Sequence, residues 1–155
     1  MKLPVMGKEA VGALVPHKRS MLLLDGIRSF DRKALCATSL MVVGKDNIFY
    51  DQGLEGIPSY VCFELMAQTI SAYDFLMHDE QKSTPKIGFI LGVNHLVLAK
   101  PFLALGKRVE TTIWQDCAIG GAMYAFKGRS IVDHEEVASA TLMVYTVLDP
   151  KQFLE

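Results

Sequence analysis

The sequence predicts an α+β fold, one long helix enclosed by a single curved antiparallel sheet. Three observations point there. An apolar helical pattern starts at Pro58 or Ser59 and runs to about Met77. Four long strand patterns with short turns follow it, and two shorter strand patterns precede it, which together suit a sheet folded round one rod.

The helix comes first because its start is marked. Proline fits the first helical turn, where its missing N–H would be unused and its φ is already helical. The segment Ile57-Pro58-Ser59-Tyr60-Val61-Cys62-Phe63-Glu64-Leu65-Met66-Ala67-Gln68-Thr69 is apolar on nearly every side, the pattern of a helix surrounded by protein. Tyr60, Glu64 and Gln68 follow at four-residue spacing and share one face. A carboxylate therefore lies on an otherwise apolar rod.

In chain order, residues 8–14 predict a short helix or turn, and Val15 to Ser20 a polar loop fixed at Pro16. Met21 to Asp25 with Ile27 reads as a buried strand and Ala34 to Val43 as a second, joined through Asp31-Arg32-Lys33. Gly44 to Gly56 is polar and glycine-bearing and delivers the chain to the helix, which should end near His78, before the polar run that closes at Pro85. Strands are then expected over Ile87 to Ala99, Val109 to Cys117, Ala122 to Ile131 and Val137 to Leu148, as a meander with turns at Lys100 to Lys107, Gly120-Gly121 and Asp133-His134.

A chain of 155 residues is expected to form a single domain over residues 1–155, with enough interior for one core. Its 16 basic and 17 acidic residues nearly balance, which argues against attraction to nucleic acid or anionic lipid. No membrane span is expected, because Glu64, Gln68 and Asp74 interrupt the longest apolar run. The first residues lack the apolar core of a secretion signal, so a cytoplasmic location is expected. Cys36, Cys62 and Cys117 are scattered in apolar patterns, as reduced core thiols would be. No phosphate-cradling glycine loop, His-Glu-x-x-His or Gly-x-Ser-x-Gly occurs, so no cofactor and no metal site is expected.

Three segments resemble the hotdog-fold 3-hydroxyacyl-acyl carrier protein dehydratases. Val15-Pro16-His17-Lys18-Arg19-Ser20-Met21-Leu22-Leu23-Leu24-Asp25 is similar to the family's opening Leu-Pro-His-Arg…Leu-Leu-Val-Asp. Ile57-Pro58-Ser59…Glu64-Leu65-Met66-Ala67-Gln68 is similar to its Pro-Gly…Glu-Ala-Met-Ala-Gln helix start. Phe89…Gly92 through Lys100-Pro101…Gly106 is similar to its strand and Arg-Pro-Val…Pro-Gly-Asp turn. Glu-Leu-Met-Ala-Gln-Thr followed by Ile-Gly-Phe-Ile-Leu-Gly looks closest to the dehydratase-like proteins of aryl polyene gene clusters.

The resemblance implies a hotdog fold whose subunits pair edge to edge, with active sites at the dimer interface. It also implies elimination of water from a 3-hydroxyacyl thioester on acyl carrier protein, or on coenzyme A, in fatty-acid-like or aryl polyene biosynthesis. Such chemistry needs a base for the α-proton and an acid for the leaving hydroxyl. The resemblance assigns the acid to Glu64; the competing reading is a purely structural carboxylate. The family's histidine, in a stretch just before the helix, has no counterpart in residues 46–56. His17 is the substitute, the alternative being a solvated loop histidine. Ser59 stands where the family has glycine and its N–H could hold the thioester carbonyl, or Ser59 could simply cap the helix. Tyr60 and Gly92 are further substrate-binding candidates, and Gln68 would orient Glu64 or a water. Lys18, Arg19, Lys107 and Arg108 could steer an acidic carrier protein. Two other functions stay open. One is a catalytically weakened subunit that pairs with a competent dehydratase, as homodimer or heterodimer partner. The other is a hotdog acyl thioesterase, with Glu64 activating water.

Overall fold

The computed structural model describes residues 6–16, 19–78 and 88–147. Nine strands and two helices follow in the order β1 (Met6–Gly7), α1 (Lys8–Leu14), β2 (Gly26–Asp31), β3 (Cys36–Val42), β4 (Gly56–Pro58), α2 (Val61–His78), β5 (Gly88–Leu98), β6 (Phe102–Ala104), β7 (Arg108–Ala118), β8 (Met123–Val132) and β9 (Glu135–Thr146). A 3-10 turn, Arg19–Met21, precedes β2. Seven strands form one antiparallel sheet in the order β1-β2-β3-β7-β8-β9-β5, while β4 and β6 pair separately.

The α+β expectation holds: α2 lies against β3, β7, β8 and β9 and forms the centre of the core. Eighteen residues at about 1.5 Å each give it a length of about 27 Å, enough to cross the sheet. Its inner face buries Val61, Cys62, Leu65, Met66, Ile70 and Tyr73. Tyr73 packs between Phe30 and Phe126, with ring centroids 5.9 and 5.6 Å away. Two hydroxyl pairs sit within this apolar contact. Ser39 Oγ lies 2.7 Å from Thr69 Oγ1, whose hydroxyl donates to Leu65 O at 2.6 Å, and Thr111 Oγ1 lies 2.8 Å from Ser130 Oγ. Each buried hydroxyl is thereby partnered, as burial demands. Gly128 lets the sheet approach the helix closely, since a Cβ there would stand 2.8 Å from Met66 Sδ.

Three details differ from the sequence reading. Met21 to Asp25 is not a strand: Leu22, Leu23 and Leu24 are buried, but a side chain of α2 takes the hydrogen bonds of Met21 O and Leu23 N–H, and pairing with β3 starts only at Asp25, whose N–H donates to Leu40 O at 2.8 Å. The helix begins at Val61, since Gly56–Pro58 is drawn into pairing with Phe102–Ala104. The four later strands are not one meander. β7, β8 and β9 are consecutive neighbours, whereas β5 pairs with β9 at the far edge of the sheet. The predicted tight turn at Asp133-His134 is present, with φ of 49° and 69° at the two residues, the left-handed pair that a two-residue hairpin requires.

β5 is an edge strand with apolar exposure. Phe89, Ile90, Leu91, Leu96, Val97 and Leu98 are all substantially exposed, Leu91 at 57% and Val97 at 56%. Its pairing with β9 is interrupted by bulges between Ile90 and Gly92 and between Asn94 and Val97, and His95 in the second has φ 52°. No helix among the described residues is long and apolar enough to cross a membrane.

Candidate active site

A cleft of about 240 Å³ opens along the face of α2 that turns away from the inner core. Glu64, Ala67, Ser71 and Asp74 recur at three- and four-residue intervals and form its floor, with Ile70 beside them. Gly88, Phe89 and Ile90 of β5, Tyr124 and Phe126 of β8, and Val144 and Thr146 of β9 supply the walls. Apolar walls around a few polar groups are the usual make-up of a small-molecule site.

Glu64 is half-buried at the start of this floor. Gln68, one turn later and 0% exposed, holds it. The Leu23 N–H donates to Gln68 Oε1 at 3.0 Å, while Gln68 Nε2 donates to Met21 O at 2.8 Å and to Glu64 Oε1 at 3.0 Å. A backbone N–H can only donate and a backbone carbonyl only accept, so this arrangement fixes which end of the amide faces which neighbour. It also casts Glu64 Oε1 as an acceptor. One side chain thus orients the carboxyl and anchors the segment after the Arg19–Met21 turn.

The other predicted residues separate into groups. His17 lies outside the described residues, as do Lys18 and the side chain of Arg19; Pro16 lines the cleft. Ser59, Tyr60 and Gly92 are not among the residues that line it. Ser59 is buried and its N–H donates to Pro101 O at 3.2 Å, because the pairing of β4 with β6 continues to this point. Tyr60 is 57% exposed. Gly92 follows the bulge at Leu91, beyond the Gly88 to Ile90 segment that walls the cleft. The amides that lead α2 are those of Tyr60 and Val61, since Cys62 N–H and Phe63 N–H already reach back to Ser59 O and Tyr60 O at 3.0 and 3.1 Å.

Asp74, Ser71 and Tyr124 were not singled out from sequence. Asp74 and Ser71 carried a signal, the continuation of the Glu64 face at helical spacing; Tyr124 carried none, because a strand residue's side of the sheet depends on register. Asp74 Oδ1 lies 3.0 Å from His78 Nδ1, and the same nitrogen is 3.0 Å from Asp74 O. Behind the floor, burial first and the Asp74 charge second push the Tyr73 phenol up to about 12. Burial likewise pushes the Cys62 thiol up to about 11, so it stays protonated near neutrality and is no nucleophile.

Residues 9–155 match the family model described as ApeP-like, ApeP dehydratase. The 3-hydroxyacyl-[acyl-carrier-protein] dehydratase FabZ of Anaeromyxobacter sp. (strain Fw109-5) is 26% identical over 148 residues, covering 90% of this chain and 89% of that protein. A chain of the dehydratase heterocomplex ApeI:P from Xenorhabdus doucetiae superposes with a TM-score of 0.81 at 18% identity, over 93% of this chain and 94% of that one. A mutant thioesterase from Pseudomonas aeruginosa reaches 0.66 at 17% identity, over 90% and 93%. At such identities the structural likenesses establish the hotdog fold. With the family model spanning nearly the whole sequence, the chain belongs to the ApeP-like family, that of the ApeP dehydratase.

Proposed function

We propose that the protein dehydrates 3-hydroxyacyl thioesters borne by acyl carrier protein, in fatty-acid-like or aryl polyene biosynthesis. The observation that carries this reading is Glu64, held by Gln68 on the floor of a cleft with largely apolar walls. A base removes the α-proton, the electron pair forms the carbon–carbon double bond, and the 3-hydroxyl leaves as water with the proton from Glu64. His17 is the proposed base, and the leading amides of α2 the proposed support for the thioester carbonyl, where enolate charge develops. Each acid or base typically contributes about 10²- to 10⁴-fold. Glu64→Gln and His17→Ala should therefore each lower turnover of a 3-hydroxyacyl carrier-protein thioester by at least about 100-fold, measured as enoyl product. Wild-type rates in both variants would sink the assignment.

A second reading concerns assembly. The exposed apolar edge of β5 suits pairing with another hotdog subunit, identical or different. The protein similar to this one in the ApeI:P heterocomplex belongs to a mixed assembly, and residues 46–56 hold no histidine. Both features favour a subunit that works beside a distinct dehydratase. Activity that appears only on mixing with such a partner would support this arrangement; a fully active homodimer would exclude it.

A further inference from the structure

We draw no further inference here: the strongest candidate, the polar pocket of about 240 Å³ between Lys8, Asp25, Asp46 and Asn47 beside the Leu22-Leu23 segment, carries nothing, because it is a surface hollow whose carboxylates form a small acidic cluster and no second observation among the described residues points to a ligand.

Discussion

Gln68 does two things with one amide. It donates to Glu64 and also satisfies both Met21 O and Leu23 N–H, which have no strand to pair with. Gln68→Ala should destabilise the fold by about 2–4 kcal/mol in urea titration, because a buried backbone N–H and a part-buried carbonyl lose their partner. The same variant should lower turnover while leaving Glu64 in place. If stability were unchanged, the amide would not be the anchor of that segment. Cys62 and Tyr73 make a prediction about alkali. Both are acids whose folded pKa values are raised, from 9.0 to about 11 and from 10.0 to about 12, so the folded state retains protons that the unfolded chain has lost. Stability should be undiminished below about pH 9 and fall between about 9 and 12. Cys62→Ala should flatten the lower part of that slope, read from melting temperature against pH. At this scale the Glu64–Gln68 pair was legible, because four-residue spacing on a helix is a contact. Asp74 was not, since a single charge in an apolar run reads as an interruption until the cleft shows which side it faces.

Helix α2 is seated on the sheet by close approach at one place and by a clamp at its end. At Gly128 any side chain would press on Met66. Gly128→Ala should cost about 1–3 kcal/mol by overpacking, and Met66→Ala in the same chain should recover part of it as a coupling in a double-mutant cycle. Additive costs would mean that the contact is not the cause. The helix end is held by Arg32, whose guanidinium donates to Leu76 O and Met77 O, both at 3.1 Å, carbonyls that a helix terminus leaves without partners. Element types were largely readable because the periods differ: α1, α2 and the long strands lie within a few residues of where the pattern put them. Met21 to Asp25 misled because a short apolar run bears the same mark whether its hydrogen bonds go to a strand or, as here, to a glutamine. β4 and β6 were missed because each is only three residues long, too short for any alternation to show.

Strand order is a property of the whole molecule, and local pattern does not encode it. The alternation along β5 says strand; that β5 crosses to the far edge beside β9 follows only from how the sheet closes on α2. An exposed apolar edge invites another strand, and the reading offered above fills it with a second hotdog subunit. Val97→Lys, which puts a charge at a 56% exposed edge position, should then shift the assembly towards monomer in light scattering and lower activity with it. An unchanged mass would show that the subunits associate elsewhere. β5 also forms one wall of the cleft through Gly88, Phe89 and Ile90. On that reading the same strand would have two audiences, a ligand on one side and a neighbouring subunit along its edge. A wall only one strand thick transmits what leans on it, so on the same reading exchanging the subunit that pairs with β5 would change the mould in which the acyl chain is cast, without altering a residue of this chain.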